Sequence, residues 1–287
     1  KSISCFLRVL GFSTPQSVII TSLEHLSIDM QKQKIRSSSS SLQEEEEERI
    51  ATYFSSGLKQ MTKLKSLAIP LVALPYGCFI NSLSSLASLR FLEKLDVSSR
   101  SEWHRKSFSA QDDAHETIMK AFGRCTKLTD LVLNASNLHG WMYNVTQQYN
   151  DTLFQNLRRI YLDNCFYKLP GTINRDNYGI SNIITKLSHY NKLEKISMSS
   201  NDMNIKNLEQ ISLHFSCENL PNLTELDLSN NFFGDDLLDP TRIDFSKFTK
   251  LIALDIEESF NVIHLEKLEI ILPPNINKFN MSKIVHP

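Results

Sequence analysis

Glycine is scarce in this chain, which has eight glycines among 287 residues, and the eight never cluster. A typical protein has ~7% glycine. Neither the GxGxxG nor the GxxxxGK[ST] pattern is present, so the phosphate-binding loops of nucleotide enzymes are excluded. The eight histidines form no HExxH motif or other metal-binding spacing. The sequence therefore predicts no catalytic, cofactor-binding or metal-binding residue, and we expect a protein that is not an enzyme.

Disulfide motifs, excess charge and long apolar runs are also lacking. The five cysteines are odd in number, lie at least 40 residues apart and form no CxxC pair, which favours a reducing compartment. With 31 basic and 32 acidic residues, the chain has no overall basic character, so no nucleic-acid partner is expected. No apolar run reaches the ~18 residues that cross a bilayer, and the first ten residues lack a secretory signal. We expect a cytoplasmic protein with no membrane span.

A sequence motif with apolar residues at fixed offsets recurs along the chain. In LTELDLSNNFF, Leu223, Leu226 and Leu228 stand at offsets 0, 3 and 5, followed by Asn231 at offset 8 and Phe233 at offset 10. The alternation Leu-x-Leu predicts a short strand with one buried face, and a polar residue at offset 8 can bond the turning backbone. Other copies begin at Leu23, Leu64, Leu92, Leu128, Leu157, Leu193, Leu251 and Ile276.

These copies resemble the leucine-rich-repeat family, and the 28- to 29-residue spacing of some copies resembles its ribonuclease-inhibitor-like subclass. The resemblance implies an α/β solenoid, a horseshoe with a concave parallel β-sheet, convex helices and about nine irregular repeats. One repeat cannot bury its apolar face alone, so the copies must stack. We expect residues 1–287 to form a single domain, with an N-terminal flank at 1–22 and a mobile loop at 32–40.

Helices are predicted in several segments that connect the copies. Ser41 and Glu44 form a capping box at the start of an amphipathic stretch, which predicts a helix over Leu42–Met61. The Ser/Glu run before it is alternatively a kinase target or an acidic recognition segment. Apolar residues three or four apart predict further helices at His115–Phe122, Gly179–Leu187 and Leu208–Phe215.

Acidic residues accumulate on the predicted concave face of two neighbouring copies. Offsets 2, 4 and 6 point away from the core, which places Glu225, Asp227, Asp255 and Glu257 close together. Because adjacent strands are about 4.8 Å apart, these carboxylates repel one another and favour a partner with a basic surface. We predict that this acidic patch binds a protein partner. The alternative is an ordinary solvated face.

Aromatic residues suggest a second partner-binding surface at the loop edge that follows the strands. Both tryptophans, Trp103 and Trp141, lie in loops there, together with Tyr143. Aromatic side chains are typical interface anchors, so we predict that these residues and Tyr161 contact a partner. The alternative is that the tryptophans fold back and cover the ends of the repeats.

The expected function is that of a monomeric, non-catalytic protein-binding scaffold. Its composition and irregular repeats resemble the leucine-rich-repeat effectors that intracellular bacterial pathogens secrete into the host cytosol. One alternative is a substrate receptor of a eukaryotic ubiquitin ligase or a regulatory domain of an immune receptor. Another is a GTPase-activating protein using Arg100, Arg105 or Arg158, although no matching motif surrounds these arginines.

Overall fold

A computed structural model describes residues 23–27, 52, 55–69, 85–86, 88–98, 124–134, 154–166, 178–233, 240–261, 267–281 and 283–284. The chain divides into two compact units. The first comprises Lys1–Leu131 with Thr152–Asn156, and the second comprises Val132–Asp151 with Leu157–Pro287. The expectation of a single domain stays a prediction, and so do the flank at 1–22 and the loop at 32–40, which lie outside the described residues.

The first unit contains a ladder of three-residue parallel strands. Strand β1 (His25–Ser27) pairs with β2 (Ser66–Ala68), and β2 pairs with β3 (Lys94–Asp96). The central residues Leu26, Leu67 and Leu95 are in register and buried. These are the offset-3 leucines of their copies, so the structure confirms the repeat register here. Strand β4 (Asp130–Val132) lies where the two units divide.

The second unit continues the same pattern over five copies. Its repeat strands pair in parallel in the order β5, β6, β7, β9 and β12, and Ile160, Ile196, Leu226, Leu254 and Phe279 are in register across them. One strand per copy, stacked on the next, is the arrangement of a repeat solenoid. The strands are β5 (Arg159–Tyr161), β6 (Lys195–Ser197), β7 (Glu225–Asp227), β9 (Ala253–Asp255) and β12 (Lys278–Asn280).

The segments that return the chain from one repeat strand to the next are of two kinds. Two contain ten-residue helices, α1 (Tyr178–Leu187) and α2 (Ile205–His214). Two others contain four-residue strands, which pair with each other in parallel: β8 (Thr241–Asp244) and β11 (Leu268–Ile271). A further parallel pair joins β10 (Phe260–Asn261) to β13 (Lys283–Ile284).

The helix predictions are confirmed in part. Helix α1 matches the predicted range to within one residue, whereas α2 begins at Ile205, three residues earlier than predicted, because Asn204 caps it. Of the predicted helix over 42–61, residues 52 and 55–60 are described and are helical. The predicted helix at 115–122 lies outside the described residues.

In the second unit the kind of return segment follows the length of the copy. Copies of 36 and 30 residues, which begin at Leu157 and Leu193, carry helices, whereas copies of 28 and 25 residues, which begin at Leu223 and Leu251, carry strands. Ten helical residues span about 15 Å and four extended residues span about 13 Å, so a strand covers a similar distance with fewer residues. The described parts of these two return segments contain no α-helix, and the implied convex helices stay a prediction there.

An additional buried position precedes each copy. The residue three places before the first leucine is buried in most copies, and its carbonyl oxygen accepts the N–H of that leucine, as in Leu223 N to Leu220 O at 3.2 Å and Leu251 N to Phe248 O at 3.0 Å. In these copies the turn adds a further side chain to the core. The buried residues at this position are Met61, Leu89, Cys125, Tyr190, Leu220, Phe248 and Pro273.

Candidate functional site

A ladder of buried polar side chains fixes the turns at the C-terminal ends of the repeat strands. Asn231 Oδ1 accepts the backbone N–H groups of Asn201 and Met203 at 3.0 and 3.2 Å, and its Nδ2 donates to the carbonyl of Leu228 at 2.7 Å. Asn231 N in turn donates to Ser259 Oγ at 3.1 Å. The offset-8 residues therefore bond the turning backbone, as the sequence predicts.

The preceding copies extend this ladder with asparagine and cysteine. Asn201 Oδ1 accepts the N–H groups of Cys165 and Phe166 at 2.7 and 3.0 Å. The thiol of Cys165 donates to the carbonyl of Leu133 at 3.1 Å. Cys165 is fully buried, so this cysteine has a structural role.

Residues at offset 7 adopt a left-handed backbone conformation in four successive copies. Asn164, Ser200, Asn230 and Glu258 have φ between 53° and 56°. Glycine adopts this region most easily, and asparagine tolerates it better than most residues. The chain makes the turn without a single glycine at these positions, and each turn directs the offset-8 side chain back into the stack.

Two of the four predicted acidic residues are neighbours in the sheet. Asp227 and Asp255 are in register on β7 and β9, and both are half-buried. Each also holds its own turn, because Asp227 Oδ1 accepts Ser229 N at 3.1 Å and Asp255 Oδ1 accepts Glu257 N at 3.1 Å. The aspartates therefore have a structural role in addition to any role in binding.

The second carboxylate oxygens of these aspartates differ in their surroundings. Asp255 Oδ2 accepts Asn280 Nδ2 at 2.8 Å. Asp227 Oδ2 lies 3.4 Å from Ser197 Oγ, whose hydroxyl is much closer to Asp163 Oδ1, at 2.5 Å. A hydroxyl has one proton to donate, and the shorter contact to Asp163 is the stronger bond. Asp227 is thus the aspartate of the pair with more capacity to accept a bond from a ligand.

Glu225 forms an ion pair within the sheet. Lys195, which is its register partner on β6, places Nζ 2.6 Å from Glu225 Oε2. The bond to Glu225 raises the pKa of the Lys195 ammonium above its ordinary value. Lys195 Nζ also lies 5.7 Å from the centre of the Tyr161 ring. Glu225 is therefore already paired. Glu257 is the exposed residue of the predicted patch, whereas the other three are half-buried.

The predicted aromatic surface falls mostly outside the described residues. Trp103, Trp141 and Tyr143 are among the undescribed residues, as are Arg100 and Arg105. Tyr161 lies in strand β5 at offset 4, in the same row as Ser197 and Asp227, so its position is in the sheet. Arg158 forms an ion pair with Glu194 at 2.8 Å.

The cysteines among the described residues form neither a disulfide nor a metal site. Cys125, Cys165 and Cys217 are free thiols, and burial raises the pKa of the Cys125 thiol to about 12. Within the described ranges no three His, Cys, Asp or Glu side chains gather as metal ligands. No helix found there is long and apolar enough to cross a bilayer.

Sequence reasoning missed an arrangement of charge along the strands of the second unit. Offsets −4 to +2 of its five copies, which we call the N-terminal strip, contain seven basic and two acidic residues. Offsets +4 to +9 of the same copies, which we call the C-terminal strip, contain six acidic residues and, among those described, one basic residue, Lys283. The acidic residues are Asp163, Asp202, Asp227, Asp255, Glu257 and Glu258. Counting charge by offset across the aligned copies would have revealed this segregation.

Comparisons with known proteins do not assign the chain to a family. No family model matches it, and no curated protein matches it. Among solved structures, it is similar to a chain from a crystal structure of a TLR13–ssRNA13 complex. The two share 18% identity with a TM-score of 0.29, and the match covers 78% of this chain and 37% of that one. So distant a likeness adds nothing to the fold, which rests on the order and register of the strands.

Proposed function

We propose that this protein is a non-catalytic protein-binding module whose partner places lysine or arginine side chains on the C-terminal strip. The observation that carries the proposal is the concentration of six acidic residues, against one described basic residue, Lys283, along that strip. Carboxylates in neighbouring strands, about 4.8 Å apart, are best relieved of their mutual repulsion by a cationic ligand. Asp227 and Glu257 are the carboxylates best able to bind it.

The type of protein is part of the same proposal. We infer a leucine-rich-repeat scaffold of the ribonuclease-inhibitor-like subclass that acts as a monomer in a reducing cytosol, as an effector of an intracellular bacterium does in its host cell. The buried free thiols of Cys125 and Cys165 support the reducing compartment, because one packs in the core and the other holds a turn. Of the three arginines considered for a GTPase-activating role, Arg158 is paired with Glu194, and Arg100 and Arg105 lie outside the described residues.

The test is a double neutralisation, Asp227→Asn with Glu257→Gln. Asparagine keeps an oxygen to accept Ser229 N, so the turn should survive. The partner is isolated by affinity purification from cytosol and identified by mass spectrometry. We expect its affinity to fall by about 0.4–2 kcal/mol for two rim contacts, and its dependence on salt to weaken.

The matched control neutralises two exposed acids outside the strip, Glu209→Gln with Glu218→Gln. This pair changes the net charge equally and should leave affinity at the wild-type value. If both double variants bind alike, the C-terminal strip is a solvated face. If Trp103→Ala or Trp141→Ala abolishes binding instead, the aromatic loop edge is the binding surface.

A further inference from the structure

The N-terminal strip of the second unit has a net charge of plus five. Of its two acidic residues, Glu194 is paired with Arg158 and Glu225 with Lys195, so both are already neutralised within the strip. The strip contains five further basic residues. They are Arg159, Lys192, Lys247, Lys250 and Lys278, and all five are exposed. The first unit has the same character, with six basic and two acidic residues at the corresponding offsets of the copies beginning at Leu64, Leu92 and Leu128.

An exposed apolar side chain lies among these lysines. Ile252 is 42% exposed and occupies offset 1 of the copy that begins at Leu251. Lys250 precedes Ile252 by two residues. The carbonyl oxygen of Ile252 accepts the N–H of Lys278 at 2.9 Å, so the three residues are neighbours. A β-branched apolar residue exposed between two cations provides a point of contact that charge alone does not provide.

These observations favour an acidic protein segment over a nucleic acid as ligand. Proteins that bind single strands stack the bases on exposed aromatic rings. In the described part of the strip Tyr190 and Phe248 are buried and Phe154 is half-buried, so the strip has no fully exposed aromatic ring among these residues. A protein segment can instead match separate cations with carboxylates and cover Ile252 with a side chain of its own.

We propose that the N-terminal strip is a second binding surface, which takes an acidic protein segment that carries a large apolar side chain. The proposal does not depend on the function assigned to the C-terminal strip, because the residues of the two strips are different. Together the strips would accept opposite charges at the two ends of the same strands. A partner with both kinds of charge would then bind in one orientation.

The experiment measures binding of a fluorescein-labelled 12-residue peptide of repeated Glu-Gly-Leu units to the full chain by fluorescence anisotropy. A peptide with Gln in place of Glu and a 12-nucleotide uridine strand serve as comparison probes. We expect the Glu peptide to bind more tightly than either comparison probe, and to bind more weakly as salt increases. Tighter binding of the uridine strand would overturn the proposal, as would a failure of the Glu peptide to bind.

Variants then locate the site. Lys250→Gln with Lys278→Gln should weaken binding of the Glu peptide roughly fivefold, whereas Lys206→Gln with Arg242→Gln, which removes the same charge elsewhere in the unit, should change it less than twofold. Equal losses in the two double variants would show a general charge effect and would refute the site. Asp227→Asn with Glu257→Gln should not weaken peptide binding, which keeps this test separate from that of the C-terminal strip.

Discussion

At the scale of single residues, the offset-8 side chains link one repeat to the next. Asn231 satisfies two backbone donors of the preceding copy and donates to backbone carbonyls, all in a fully buried position. A buried backbone group left without its partner costs ~1–3 kcal/mol. The asparagine is therefore more important to stability than its size suggests.

The substitution Asn231→Ala tests this role. We expect the free energy of unfolding to fall by about 2–5 kcal/mol, because at least two buried N–H groups lose their acceptor. Urea denaturation followed by circular dichroism measures the loss. Asn191→Ala, at an exposed position, is the control and should change stability by about 0.5 kcal/mol or less. A loss of the same small size at Asn231 would mean that water replaces the side chain in the turn.

At this scale the sequence predicted the core residues of each repeat. It did not predict that the acidic residues also bond the backbone of the turns. Burial of Leu226, Leu254 and their equivalents follows from the alternation of the template. The bond between Asp227 and the N–H of Ser229 depends on the geometry of the turn after the strand. The periodicity of the sequence carries no information about that geometry. The pairing of Glu225 with Lys195 could have been predicted from the sequence, since both residues stand at offset 2 of consecutive copies.

At the scale of elements, helix α2 shows how a local signal sets a boundary. Asn204 Oδ1 accepts Asn207 N at 3.2 Å, and Asn207 Oδ1 accepts Asn204 N at 3.1 Å, which is a reciprocal capping box. The predicted helix began at Leu208 because the apolar spacing was read without this box. An asparagine pair is less recognisable than the usual Ser/Thr and Glu/Gln pair.

The substitution Asn204→Ala should destabilise the protein by about 1 kcal/mol, because it removes the oxygen that accepts Asn207 N. Asn204→Ser, which restores a capping oxygen, should recover most of the loss. Thermal melts of the two variants give the comparison. Equal stability of the alanine and serine variants would contradict a capping role for this side chain.

The strands β8 and β11 could not be predicted in the same way. Four residues are too few for a period to be recognised, and their sequences, TRID and LEII, do not share an obvious pattern. The useful signal was the spacing of the copies. In the second unit the strands occur in the two shorter copies, of 28 and 25 residues, and the helices occur in the two longer ones.

At the scale of the whole molecule, stability comes from contacts between neighbouring copies. Leu226 is 2% exposed and stands at the centre of the five-stranded ladder. Leu226→Ala should therefore cost about 2–5 kcal/mol through the cavity that it leaves. Faster amide hydrogen exchange should extend to the adjacent strands β6 and β9, since each copy is stabilised by its neighbours.

The control for this substitution is Leu213→Ala on α2. Leu213 is 72% exposed, so its truncation should leave both the unfolding free energy and the exchange rates close to wild type. If exchange in the Leu226→Ala variant increases only within β7, the copies are less strongly coupled than a solenoid requires. The repeat architecture was predictable from sequence because the same constraint recurs in every copy, whereas the charge segregation emerged only when the copies were compared offset by offset.

Separation of charge across the second unit has a practical consequence for purification. The chain has a formal net charge of −1 and an isoelectric point near 6.8, from which weak retention on any ion-exchange resin would be expected at pH 7. A resin, however, responds to the strip that faces it. We expect retention at low salt on both a sulfonate column, through the N-terminal strip, and a quaternary-ammonium column, through the C-terminal strip. Lys250→Gln with Lys278→Gln should elute earlier from the sulfonate column, and earlier than Lys206→Gln with Arg242→Gln, although both variants have the same net charge.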